Sequence, residues 1–272
     1  MIKQAIIPLA GLGTRMLPLS SVIPKELLPI NGKPNLEYIM EECLEAGIKE
    51  FIFIISKEKI NIKKYFFNDI FYKKIIKKKN DKRIINEFKK LKKYQKMIKF
   101  VYQNKPKGTG DAVLKCKRYI KNNFFLILLP DDLIIKKNCT KEMIKLHQTT
   151  KSSIIATKTV NKKNVSRWGI LSVKNKKKNY FQIKDVIEKP SINHAPSNFA
   201  IIGRYILSIK IFDEIKNLKA GKGGEIHITD AIKNLIHKGE KFFANIFKGK
   251  YLDCGTLSGY IESSIQIFKG NK

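Results

Sequence analysis

A glycine-rich segment, Leu9-Ala10-Gly11-Leu12-Gly13-Thr14-Arg15-Met16-Leu17-Pro18, continues a short apolar run that begins at Lys3. A strand that enters such a turn can aim backbone N–H groups at phosphate oxygens. Gly11 and Gly13 permit the close approach, and the guanidinium of Arg15 can fork onto a phosphate. The pattern is not a dinucleotide fingerprint, because Met16 holds the third glycine position. Nor is it a Walker A loop, because no Gly-Lys-Ser/Thr follows. Taken alone, a strand followed by Gly-x-Gly can be no more than a tight turn.

Further along, Ile23-Pro24-Lys25-Glu26-Leu27-Leu28-Pro29 brackets a lysine between two prolines and so holds it in a stiff loop. Alone, Lys25 is one solvated lysine among many. Asp131 ends the fully apolar run Phe124–Leu129, where a carboxylate meets a ligand rather than the core. Asp253 follows a second short run, Asn245–Phe247 with Gly249-Lys250-Tyr251-Leu252. A magnesium ion commonly takes one or two carboxylates plus substrate phosphates, so two such aspartates suit it. Each by itself is also compatible with a turn or a helix cap, Asp132 more so than Asp131. Gln103 follows the strand-like Ile98–Tyr102, and its amide can both donate to and accept from a base edge. Gly108 and Gly110 leave room for a flat ring. Glu188 and Lys189 end a strand-like run before Pro190. Alternation sends adjacent strand residues to opposite faces, and a surface ion pair is the plain alternative. Glu225, in Gly223-Gly224-Glu225, is a polar candidate that could equally be a helix-start acid. The four histidines show no metal-ligand spacing.

The elements that must position these residues alternate in the first half. Strands are expected at Lys3–Leu9, Phe51–Ile55, Ile98–Tyr102 and Phe124–Leu129. Helices are expected at Leu36–Ala46, Lys57–Phe66 and from Gly108 to Ile120. Fully apolar strands of this kind suit a parallel sheet covered on both faces. The second half reads as strands at Ser153–Thr159, Gly169–Val173, Phe181–Glu188 and Ala200–Ile206. Helices are expected there at Lys210–Asn217, Thr229–His237 and Leu257–Phe268. The expectation is an α/β fold: one Rossmann-like domain over 1–272, with a mixed, mostly parallel central sheet flanked by helices. Residues 1–150 form mainly its nucleotide-binding half, and 151–272 mainly its sugar-phosphate half. In open sheets of this kind ligands sit beyond the carboxyl ends of the strands.

The residues form a longer pattern together. AGLGTRMLP followed by IPKELLP resembles the signature of the sugar nucleotidyltransferases. Gly108-Thr109-Gly110-Asp111-Ala112-Val113-Leu114, Leu129-Pro130-Asp131-Asp132 and Val186-Ile187-Glu188-Lys189-Pro190 are similar to blocks of that family, in its order. So are Ala195-Pro196-Ser197-Asn198, Gly203-Arg204-Tyr205, Glu225–Ile232 and Asp253-Cys254-Gly255. The likeness spans nearly the whole chain and is closest to the uridylyl branch. It implies transfer of a uridylyl group from UTP to glucose 1-phosphate, giving UDP-glucose and pyrophosphate. It implies Mg²⁺ on Asp131 and Asp253. It implies the base against Ala10, Gly11, Gln103 and Gly108, with phosphates at Gly13, Thr14, Arg15 and Lys25. Glucose hydroxyls fall to Glu188, Glu225 and the backbone of Gly169, and the sugar phosphate to Lys189. Trp168 stands where the family often has Tyr. Asn104-Lys105-Pro106-Lys107 and Asp111 depart from its commonest residues, which leaves the choice of base less fixed than the fold. A thymidylyltransferase using dTTP is the nearest alternative. A homodimer or homotetramer is implied, with the lysine-rich insert a candidate for the contact.

Composition supplies the rival. The 272 residues carry 55 Lys+Arg against 23 Asp+Glu, a net charge of +32. Such a balance invites nucleic-acid binding by counterion release. The excess is almost all lysine, with five arginines, at 15, 83, 118, 167 and 204. Recognition of phosphate and guanine favours the arginine fork, so the charge reads instead as a compositional drift toward Lys, Ile and Asn, with no nucleic-acid partner. From Lys73 to Lys99, 13 basic residues accompany two acidic ones. Ile84, Ile85, Phe88 and Leu91 recur there at helical spacing, so the insert at about 70–97 reads as an amphipathic helix with a solvated lysine face. A hydrophobic content of 43% excludes wholesale disorder. No apolar run approaches the length of a membrane span, the N-terminus has no secretory h-region, and the scattered cysteines read as reduced thiols. These features point to a cytoplasmic enzyme with no membrane partner.

Overall fold

A computed structural model of the protein describes residues 2–270; residues 1, 271 and 272 of the expected domain span lie outside the described residues. The strands are β1 (Gln4–Pro8), β2 (Pro29–Ile30), β3 (Lys33–Pro34), β4 (Glu50–Ile55), β5 (Ile98–Tyr102), β6 (Phe124–Leu128) and β7 (Asp132–Ile135). They continue with β8 (Ser153–Thr159), β9 (Gly169–Lys174), β10 (Tyr180–Glu188), β11 (Phe199–Ser208), β12 (Phe242–Ile246) and β13 (Lys250–Asp253). The helices are α1 (Asn35–Glu45), α2 (Ile60–Phe67), α3 (Asp69–Lys79), α4 (Lys82–Gln95) and α5 (Thr109–Leu114). After them come α6 (Cys139–Thr150), α7 (Ile211–Asn217), α8 (Ile228–His237) and α9 (Leu257–Gly270).

Among the described residues nine strands form one sheet in the order β5-β4-β1-β6-β11-β8-β12-β10-β9. Pairing is parallel across β5-β4-β1-β6 and β8-β12, and antiparallel around β11 and β10. The apolar strands alternate faces: Ala5 and Ile7 join one core with Phe51 and Phe53, whereas Ile6 joins the other with Ile52 and Ile54. Leu36, Leu91 and Met143 bring α1, α4 and α6 onto the first face. Val113, Phe212 and Ile232 bring α5, α7 and α8 onto the second. Both faces are therefore covered, as the apolar strands require.

The chain leaves β1 toward β4 and β5 and then returns to β1's other side as β6. That reversal opens a crevice beyond the carboxyl ends of β1 and β6. The glycine loop follows β1, and Asp131 follows β6. Two small antiparallel ribbons accompany the sheet, β2 with β3 and β7 with β13, and the second sets Asp132 opposite Asp253.

Three expectations change. The lysine-rich insert is two helices, α3 and α4, rather than one. Asn80 adopts a left-handed conformation (φ 45°), and the Asp81 side chain accepts from the N–H groups of Arg83 and Ile84, so one helix stops and another starts. The helix expected from Gly108 to Ile120 ends at Leu114 and continues as a 3₁₀ turn at Lys117–Tyr119. Helix α6 was not expected; its cap is Asn138, which accepts from Lys141 N–H at 2.9 Å. Among the described residues no helix is long and apolar enough to cross a membrane.

Candidate active site

Gly13 has φ 69°, a left-handed conformation that opens a 3₁₀ turn over Thr14–Met16. Its carbonyl accepts from Met16 N–H (2.8 Å) and from Ser20 Oγ (2.9 Å), which sets the loop that carries Arg15. Lys25 begins a 3₁₀ turn after Pro24. Its neighbour Glu26 is buried and takes both carboxylate oxygens to Lys59 Nζ, at 2.7 and 2.8 Å. That buried pair anchors the segment to the start of α2. Lys25 Nζ then reaches Asp131 Oδ2 at 2.6 Å. Burial alone would lower the lysine pKa, but Asp131, aided by Glu26, outweighs it and raises it above 10.5.

Asp131 and Asp253 come together through the β7–β13 ribbon. Asp253 pairs in register with Asp132, and Cys254 N–H donates to Asp131 O at 2.7 Å. Gly255 lies between the two carboxylates. A Cβ there would stand 2.8 Å from Asp131 Oδ2, 3.1 Å from Asp253 Oδ1 and 3.0 Å from Arg15 Nη2. Glycine there lets the backbone come in beside both carboxylates, and two neighbouring carboxylates suit a hard cation that takes its other ligands from phosphates and water. Among the described residues no group of three or more His, Cys, Asp or Glu is arranged to hold a metal ion by itself. Cations neutralise the carboxylates: Arg15 Nη2 lies 3.5 Å from Asp131, and Arg167 Nη2 lies 2.9 Å from Asp253 Oδ2. Burial would raise the Asp131 pKa, yet Lys25 and Arg15 hold it below its ordinary value.

Asp132 is neither a turn aspartate nor a helix cap. It opens β7 and accepts from Gly203 N–H (3.0 Å) and Tyr251 O–H (2.6 Å). Burial and the adjacent Asp131 push its pKa up to about 6.

On the far side of the crevice, Glu188 pairs in register with Gly169 across β10 and β9. Glu188 Oε2 accepts from Thr229 Oγ1 at 2.9 Å. Lys189 does not continue the strand. Its φ of 43° breaks the alternation, so both side chains line the same cavity instead of opposite faces. They form the ion pair that the sequence left open, Lys189 Nζ to Glu188 Oε1 at 3.6 Å. A Cβ on Gly169 would lie 3.0 Å from Ile201 and 3.2 Å from Glu188 Oε2, so glycine keeps the floor open. Glu225 is exposed, and it precedes α8 rather than starting it.

Gln103 is buried at the end of β5. Its Nε2 donates to Asp111 Oδ2 (2.7 Å) and Gly108 O (3.3 Å). The space beside Gly108 and Gly110 is filled by main chain, not left for a ring. Cβ atoms there would stand 2.7 and 2.8 Å from Ile226 O, and Gly110 N–H donates to that oxygen. These glycines dock α5 against the segment before α8.

Every candidate residue except Gly110 lines one of two adjoining cavities, of about 710 and 400 Å³. The smaller holds Ala10, Gly11, Gly13, Lys25, Gln103 and Gly108. The larger holds Arg15, Gly169, Glu188, Lys189 and Asp253. Thr14, Asp131 and Glu225 border both. The arrangement can hold a nucleotide in one lobe, a phosphorylated polar molecule in the other, and concentrate positive charge where they meet. Arg167 and Thr229 also face the larger lobe and were not singled out from sequence. A rare arginine in a lysine-rich chain was the signal available for the first. A third hollow, of about 820 Å³ and bordered by Lys33, Lys136, Lys250 and Lys269, contains none of the candidate residues and has no carboxylate in its lining.

The family model described as Nucleotidyl transferase matches residues 4–270. UTP–glucose-1-phosphate uridylyltransferase 1 of Staphylococcus saprophyticus is 37% identical over 267 residues, covering 98% of this chain and 92% of the relative. UTP–glucose-1-phosphate uridylyltransferase of Mycoplasma pneumoniae is 36% identical, covering 97% and 91%. A crystal structure of UDP-glucose pyrophosphorylase complexed with UDP-glucose superposes with a TM-score of 0.87 at 37% identity, covering 99% of this chain and all of the other.

Proposed function

The chain belongs to the nucleotidyl transferase family, and on that premise we propose that it joins UTP to glucose 1-phosphate, releasing UDP-glucose and pyrophosphate. The observation that carries this reading is the meeting of Asp131, Asp253, Arg15 and Lys25 at the junction of the two lobes. Lys189 stands across from them. The relatives named above carry this activity in their names.

The sugar phosphate attacks the α-phosphorus of UTP. A bond forms between its oxygen and that phosphorus, the α–β bridge breaks, and pyrophosphate leaves with the bridging oxygen. A phosphate monoester has a second pKa of about 6, so the nucleophile is already charged at neutral pH and needs no general base. The obstacle is bringing anions together, and the protein's task is charge and alignment. Lys189 holds the sugar phosphate. Arg15 and Lys25, with the N–H groups of Gly11–Thr14, stabilise the departing pyrophosphate. Glu188, oriented by Thr229, and Glu225 take hexose hydroxyls. Magnesium held by Asp131 and Asp253 would supply Lewis-acid neutralisation of the phosphates. When phosphates arrive, Arg15 and Arg167 are near enough to transfer their charge from the aspartates to them.

The test is pyrophosphate release with Mg²⁺ and glucose 1-phosphate across UTP, dTTP, ATP, CTP and GTP. Preference for UTP is expected. Preference for dTTP would make the protein a thymidylyltransferase. Release with none of them would remove the reading.

A further inference from the structure

We propose that Asp111 is a positioning residue for base recognition: it locks the amide of Gln103 with its NH₂ turned away from the base, so that Oε1 is the atom offered to the N3–H of uracil or thymine. The inference rests on the reading of the smaller lobe as the seat of the base.

The argument is one of donors and acceptors. Gln103 Nε2 lies 2.7 Å from Asp111 Oδ2 and 3.3 Å from Gly108 O. Both partners are acceptors. The reversed amide would set Oε1 against a carboxylate oxygen and a carbonyl oxygen, with no proton between any of them. Only one orientation is therefore compatible with these neighbours. The backbone leaves little slack, because Gln103 N–H donates to Ile55 O at 3.0 Å and the side chain is buried. Asp111 is itself held, with Lys115 Nζ 3.7 Å from Oδ1 one helical turn on. Both N–H groups of the amide are thus engaged, and Oε1 is the polar atom left to face the lobe that Gln103 lines.

An amide free to rotate offers a donor or an acceptor to any base with little preference. A fixed acceptor pairs with the imide N3–H of uracil or thymine and meets a lone pair at N3 of cytosine. A site built to accept a hydrogen bond rejects the base that cannot donate it. Asp111 would then set the choice of pyrimidine without touching the nucleotide.

The experiment compares kcat and KM for UTP and CTP, with glucose 1-phosphate, in the wild type, Asp111→Leu and Asp111→Asn. In Asp111→Leu the UTP-to-CTP ratio of kcat/KM should fall by roughly 10- to 100-fold, mainly through KM for UTP. Asp111→Asn keeps one acceptor oxygen and should recover part of that ratio. Equal losses for UTP and CTP would reveal a merely structural role and overturn the proposal, as would an unchanged ratio. If Asp111→Leu does not fold, equilibrium binding of UTP and CTP to the wild type and Asp111→Asn decides, and equal discrimination in the two overturns it. An active wild type with indifferent variants removes this inference alone. A wild type inactive with every nucleotide removes the underlying reading as well.

Discussion

The carboxylates of Asp131 and Asp253 face one point beside Gly255, although one follows a central strand and the other ends the last. The β7–β13 register and the Cys254–Asp131 hydrogen bond bring them there. A Cβ at Gly255 would stand 2.8 Å from Asp131 Oδ2 and 3.1 Å from Asp253 Oδ1, so Gly255→Ala would push the two carboxylates out of their present arrangement. The variant should bind Mn²⁺, used as a spectroscopic stand-in for Mg²⁺, at least about tenfold more weakly. Turnover should fall with it while the far-ultraviolet circular dichroism is kept. Unchanged Mn²⁺ affinity would place the metal elsewhere.

Asp131→Asn removes one carboxylate of the pair and the partner of Lys25. Turnover should drop by at least about 10²-fold, because charge neutralisation at the reacting phosphates is lost. Lys25→Ala should fall similarly through the leaving group. Steady-state rates on folded variants check both, and near-normal activity in Asp131→Asn would remove its assigned role.

Arg204 and Glu42 form a buried ion pair at 2.9 Å, their side chains 0% and 7% exposed. The same guanidinium donates to Leu129 O (3.1 Å) and Asp132 O (2.6 Å), bracketing Asp131. Arg204→Met strands the glutamate and should cost about 3–5 kcal/mol in urea unfolding. The double variant Glu42→Leu/Arg204→Met should lose less than the two single losses added together. Strict additivity would mean that the pair does not act as a unit.

All four cysteines are free and buried. Burial pushes the Cys116 and Cys254 thiols up to about 12. Thiolates, not thiols, are alkylated. Iodoacetamide at pH 7.5 should therefore leave the native protein unlabelled and active, and intact mass should rise only after denaturation. Rapid native labelling would contradict this packing.

The sheet was largely legible in the sequence, because strands buried on both faces must be apolar throughout, as Phe51–Ile55 and Phe124–Leu129 are. The residues that end strands were legible for the same reason: a charge directly after such a run has nowhere to go but the crevice. Helix α6 was not, because Cys139–Thr150 packs only part of a mostly polar segment against the core. The break between α3 and α4 rested on Asn80-Asp81, a stop and a cap obscured by the continuous lysine pattern. The contacts Arg167–Asp253, Gln103–Asp111 and Thr229–Glu188 depend on where the loops and strands meet in three dimensions, which spacing along the chain does not reveal. The positive φ at Lys189 escaped because alternation was carried one residue past the strand end.

The central claim is that the phosphate of glucose 1-phosphate attacks the α-phosphorus of UTP. It is tested most directly with glucose 1-phosphate labelled with ¹⁸O in its non-bridging phosphate oxygens, unlabelled UTP, Mg²⁺ and the wild-type protein, the products being read by mass spectrometry. The account predicts UDP-glucose that retains every labelled oxygen and pyrophosphate that carries none. Label in the pyrophosphate, or no UDP-glucose at all, would contradict it.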